Sequence, residues 1–176
     1  MNKHIKRLTT CAIFSAIICV VTTFVAVPAP AIGNINLGDI FILCSAWLLG
    51  PYGAVASGIG ACLADLFSGF AIYAPATLII KALMAIACYY TYVALSRVIK
   101  HSPISRSISA AIAEAIMVLG YFLYECFVYG GGAAVASVPF NLIQGSVCAT
   151  LGTIVCCLMM KNNAIKKFSL EFVTIK

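Results

Sequence analysis

Apolar residues in this chain run together in long stretches, separated by short polar or Gly/Pro-rich breaks, as in helices that cross a bilayer. A crossing helix needs about 20 apolar residues, fewer where neighbours shield it. The runs predict an all-α integral membrane protein of six transmembrane helices in one compact bundle. They form a single domain over 1–176, with spans at 8–27, 37–49, 52–68, 75–96, 108–128 and 135–160. Pro28 and Pro30 end the first span, Gly50-Pro51 the second and Gly130-Gly131-Gly132 the fifth. The fourth opens on Pro75, whose missing N–H costs nothing in a first turn. The second run is short and fits either a full span or a re-entrant segment. The tail from Lys161 is polar and basic and reads as a stub beyond the bundle.

Composition narrows the class. The chain is 63% hydrophobic and 9% charged, against about 25% charged residues in soluble domains. That leaves too little polar surface for a water-soluble fold. The N-terminus resembles a signal peptide, with a basic start and an Ala29-x-Ala31 site. Its apolar run is too long for such a segment and prolines crowd the site, so a retained helix is expected.

Charge fixes an orientation. Net charge is +6, carried before the first span (Lys3, Lys6, Arg7), between the fourth and fifth (Arg97, Lys100, Arg106) and after the sixth (Lys161, Lys166, Lys167, Lys176). With six spans these regions share one face. The positive-inside rule makes that face cytoplasmic, with both termini on it, in a bacterial plasma membrane. The loops near 28–37, 69–75 and 129–135 carry no Lys or Arg. Without aromatic interleaving, this basic charge does not indicate nucleic acid.

Several chemistries lack their residues. Nine cysteines lie inside apolar runs with no C-x-x-C pair, and His4 and His101 sit in polar segments. Neither a metal site, a cofactor nor a disulfide framework is expected. No P-loop, G-x-S-x-G or H-E-x-x-H occurs, so the chain is not read as an enzyme and ATP hydrolysis would need a separate protein.

Ionisable groups are costly inside a bilayer and face cavities or each other. Five fall within the predicted spans: Asp39, Asp65, Lys81, Glu114 and Glu125. All but Glu114 lie towards the outer side. Asn34, Asn36, Tyr73, Tyr121, Tyr124, Asn141 and Gln144 share that bias. A cavity binding a small polar molecule from outside explains the clustering. For Asp65 and Lys81 an interhelical ion pair explains it equally, and Glu114 reads as structural or as a partner contact. The third run, rich in Gly, Ala and Ser, is built for close helix packing. Ala12-x-x-x-Ala16 in the first is either a chance pair or a contact face for another subunit.

Residues 36–84 resemble the substrate-binding S components of energy-coupling factor (ECF) vitamin transporters. The likeness is carried by Asn36-Leu37-Gly38-Asp39, Leu48-Leu49-Gly50-Pro51-Tyr52-Gly53-Ala54 and Gly58-x-Gly60. Leu63-Ala64-Asp65-Leu66, Gly69, Tyr73-Ala74-Pro75-Ala76-Thr77 and Ile79-Ile80-Lys81 extend it. The resemblance implies capture of a vitamin or precursor from outside for ATP-driven uptake. It also implies a separate transmembrane coupling subunit that docks on Ala12 and Ala16, and two cytoplasmic ATPases. The Gly-Asp and Tyr-Ala-Pro-x-Thr segments are most similar to the hydroxymethylpyrimidine or vitamin B6 branch, with riboflavin uptake a related one. Asn36, Asp39, Tyr73, Lys81, Tyr121, Tyr124, Glu125, Asn141 and Gln144 are the expected ligand contacts, a tyrosine stacking on an aromatic heterocycle. The alternative is a stand-alone secondary carrier or small channel for a micronutrient.

Overall fold

The computed structural model describes residues 3–28, 34–99 and 101–173. Ala29 and Ala31 of the cleavage-like site, Pro30, Lys100 and Lys176 lie outside them. Among the described residues the chain forms seven helices and one two-stranded hairpin. The helices are α1 (Lys3–Phe24), α2 (Gly38–Leu49), α3 (Tyr52–Phe67), α4 (Ala74–Ser96), α5 (Ser102–Tyr129), α6 (Gly131–Met159) and α7 (Asn163–Leu170). Between α1 and α2, β1 (Ala26–Pro28) pairs antiparallel with β2 (Asn34–Asn36), with Val27 opposite Ile35.

Six transmembrane helices were expected, and that count is corrected. Among the described residues four helices are long and apolar enough to cross a membrane: His4–Phe24 within α1, and α4, α5 and α6. At 1.5 Å per residue α2 spans about 18 Å and α3 about 24 Å, short of a hydrocarbon core of about 30 Å. The apolar character of α2 has another cause. Ile42, Leu43, Trp47, Leu48 and Leu49 are sealed inside the protein, so the run encodes a core helix and not a lipid-facing one. A run this short fits a buried helix better than a span.

Two further boundaries differ from the hydropathy pattern. Helix α5 begins at Ser102, before the expected span, and takes in Arg106. That side chain is buried, with its guanidinium 3.4 Å from the Tyr92 hydroxyl and 3.6 Å from the Cys157 sulfur. The expected polar stub contains α7, started by Asn162, whose side chain accepts from the Ala164 N–H at 2.8 Å.

Small residues bring the helices together. A Cβ on Gly60 would lie 2.5 Å from the Ser15 carbonyl oxygen, and one on Gly58 would lie 2.8 Å from that of Leu78. The α3 backbone therefore rests directly on α1 and α4. Ser15 donates to the Ala56 carbonyl at 3.0 Å, and Trp47 Nε1 to Ser109 Oγ at 3.1 Å. At one end of the bundle α7 folds under α2: Ser169 donates to the Trp47 carbonyl, and Phe172 and Val173 are buried. There Lys6 pairs with Glu171 at 2.5 Å, and Arg7 donates to the Tyr52 hydroxyl at 3.0 Å. Lys6 and Arg7 thus lie at one end with α7, and the hairpin lies at the other.

Candidate functional site

The hairpin end holds a cavity of about 590 Å³, its open mouth included. The last turns of α1 and α3, the hairpin-end halves of α4 and α5 and the first half of α6 meet here, with β2 above. Each of these elements contributes polar side chains, and their convergence makes the cavity polar.

Seven expected contacts line it: Asn36, Tyr73, Lys81, Tyr121, Glu125, Asn141 and Gln144. Two do not. Asp39 lies fully buried beneath the lining, where its carboxylate takes Lys81 Nζ at 2.6 Å and Gln144 Nε2 at 2.6 Å. Tyr124 turns away and donates its hydroxyl to the Ile72 carbonyl. The lining also includes Asn34, Asp65 and Thr77, together with Thr22, Ser68 and Phe70, which sequence reasoning missed. Ser68 and Phe70 flank Gly69 in a charge-free loop, a signal available in the sequence. Thr22 had none, being one of two adjacent threonines at the end of an apolar helix.

The floor is a connected network. The Asn36 N–H donates to Gln144 Oε1 at 2.9 Å, so this one amide ties the hairpin to Asp39 and through it to Lys81. Lys81 Nζ also stands 5.3 Å from the centroid of the Tyr121 ring, and the Tyr121 and Thr77 hydroxyls are 3.0 Å apart. The partner of Lys81 is Asp39, not the Asp65 expected as one alternative.

One wall is aromatic. The Tyr73 ring centroid lies 6.3 Å from that of Tyr121 and 5.4 Å from that of Tyr124. Tyr73 donates to Glu125 at 3.3 Å, and Ser137 donates to the other Glu125 oxygen. Burial, then the neighbouring Glu125 carboxylate, raises the Tyr73 hydroxyl above its ordinary range, which keeps it protonated as a donor. Two polar atoms of the lining are buried without a hydrogen-bond partner in the protein: Asp65 Oδ2 and Asn141 Nδ2. No group of three or more His, Cys, Asp or Glu suited to a metal occurs among the described residues.

On α1, Ala12 and Ala16 are exposed on the outside of the bundle, far along the helix from the cavity. Glu114 is buried between α5 and α6, where Gly145 leaves it room. It lines a separate crevice there and not the cavity.

Long apolar helices closing over a polar cavity define a membrane-embedded binding subunit for a small solute. The chain belongs to the ECF-type riboflavin transporter S component family, whose family model its residues 2–161 match. This is a family of transport subunits and not of enzymes, and it makes the chain a multi-pass protein of the cell membrane. The thiamine precursor transporter HmpT of Lactococcus lactis subsp. cremoris is 30% identical over 173 residues, covering 95% of each chain. An uncharacterised protein of Pyrococcus woesei is 32% identical over 132 residues, 72% of this chain and 83% of that protein. A solved S component of a bacterial ECF transporter superposes with a TM-score of 0.69 at 26% identity, covering 92% of this chain and 96% of that one.

Proposed function

We propose that the chain captures a water-soluble vitamin precursor at the hairpin end and passes it to an ATP-driven uptake complex. The ligand is a small aromatic nitrogen heterocycle of the hydroxymethylpyrimidine or vitamin B6 kind. The observation that carries this reading is the cavity itself: a tyrosine wall, polar groups from five helices and a hairpin cover, in a chain similar along its length to a thiamine precursor transporter. The family model, named for riboflavin, supports a flat heterocycle in general. Asn36, Tyr73, Lys81, Tyr121, Glu125, Asn141 and Gln144 contact the ligand, and Asp39 acts from behind by holding Lys81 and Gln144.

The cavity opens outward and the basic end faces the cytoplasm. Four long helices, with α2 and α3 leaving and returning to the hairpin end, bring both termini to that side. The exposed Ala12 and Ala16 face of α1 receives a transmembrane coupling subunit, and two ATPases supply the energy. Uptake of labelled hydroxymethylpyrimidine into vesicles holding all four proteins tests this directly. ATP-dependent uptake is expected, and its loss with the triple variant Glu125→Ala, Asn141→Ala, Gln144→Ala. Uptake by this chain alone, or ligand binding that survives the triple substitution, refutes it.

A further inference from the structure

Charge and hydrogen-bond accounting at the cavity go further, and the step rests on the binding role just given. Lys81 brings the lining its one cation among the described residues, and Asp39 neutralises it at 2.6 Å. Glu125 has both oxygens engaged, by Tyr73 and Ser137. Two buried atoms of the lining have no hydrogen-bond partner in the protein: the acceptor Asp65 Oδ2 on α3, whose carboxylate is otherwise met by Thr77, and the donor Asn141 Nδ2 on α6. A buried polar atom left unpaired costs about 1–3 kcal/mol, more if charged. Such atoms persist where a ligand completes them.

We infer that Asp65 and Asn141 are the specificity pair of the cavity, Asp65 accepting from an exocyclic amino group and Asn141 donating to a ring nitrogen. The site thereby selects an amino-substituted heterocycle over a ring of the same size without the amino group, and so a pyrimidine precursor over the vitamin B6 alcohol. It also rejects phosphate esters. Once Asp39 cancels Lys81, the remaining carboxylates of the lining, Asp65 and Glu125, are acidic and no cation is left to meet a phosphate. The substrate arrives unphosphorylated, and any phosphoryl transfer to it belongs after uptake.

Isothermal titration of the full chain in nanodiscs tests this with three probes: 4-amino-5-hydroxymethyl-2-methylpyrimidine, its analogue with hydrogen in place of the amino group, and its phosphate ester. The wild-type chain is expected to prefer the amino compound over each of the others by about tenfold or more. Asp65→Leu removes the acceptor. It is expected to cost the amino compound about tenfold and to leave the amino-free analogue within about threefold, which also reports an intact fold. Asp65→Asn keeps an acceptor but removes the charge, and is expected to narrow the handicap of the ester. Asn141→Ala is expected to weaken the pyrimidine more than the matching aminopyridine. A preference for the amino group that survives Asp65→Leu overturns the inference alone, as does an ester that binds wild type as tightly as the alcohol. Loss of both the amino compound and its amino-free analogue in Asp65→Leu and Asp65→Asn alike overturns it too, because selective reading requires the analogue to survive. Failure of every probe to bind the wild-type chain overturns the binding role itself.

Discussion

Lys81 carries a charge into the bundle and is matched there by one carboxylate, with 4% and 1% of the two side chains exposed. Removing one partner of such a pair strands the other, at a cost of about 3–5 kcal/mol. Lys81→Met is expected to lower the unfolding free energy in detergent by about that much, read as a lower unfolding midpoint. Adding Asp39→Asn to it is expected to recover about half, since the uncompensated charge then goes. Equal loss in the single and double variants would show that the pair does not bear the load. That Lys81 and Asp39 matter was legible in the sequence, because ionisable residues in apolar runs need partners. Which acid takes Lys81 was not legible. Asp39 and Asp65 lie at similar depth, and the choice depends on how α2 and α3 are rotated.

Helices were legible as elements, but their relation to the membrane was not. Hydropathy responds alike to residues that face lipid and residues that face protein, so α2 and α3 looked like spans. What separates them is length and the tight Gly50-Pro51 turn between them. The glycines of α3, read as packing residues, have their counterparts in the structure: Gly60 meets the Ser15 carbonyl and Gly58 that of Leu78. Gly60→Ala is expected to push α1 outward and cost about 1–3 kcal/mol, seen as a lower melting temperature. On the exposed side of α1, Ala12→Trp and Ala16→Trp are expected to block assembly with the coupling subunit while ligand affinity stays unchanged. Complexes that still co-purify would remove α1 as the docking element.

Across the whole molecule, polar chemistry is divided between two ends, with the ligand cavity at one and the basic surface with α7 at the other. The basic end is held mainly by apolar burial. Phe172 is buried against Tyr52 and Phe168, with ring centroids 6.3 Å and 4.9 Å away. The Lys6–Glu171 pair is half-exposed. Phe172→Ala is therefore expected to cost about 3–5 kcal/mol, and Glu171→Ala at most about 1 kcal/mol, in the same melting assay. The reverse order would show that the ion pair, and not the aromatic contact, fastens the tail. Only the basic half of α7 stood out in the sequence. The apolar residues of α7 and the turn after it, Ile165, Phe168 and Phe172, are too few to form a hydrophobic run and gain meaning from the core that they pack against.

The floor network also sets a schedule for synthesis. Asp39 takes its first partner from a helix 42 residues downstream and its second from one 105 residues downstream. At about 5–20 residues per second, the carboxylate waits on the order of 5–20 s after it is made before Gln144 exists. Throughout that interval α2, which has almost no surface suited to lipid, lacks the helix that will enclose it. The insertion machinery must shelter the α2–α3 pair until α6 is delivered, and a ribosome stalled between α4 and α6 would leave this nascent chain dependent on that shelter.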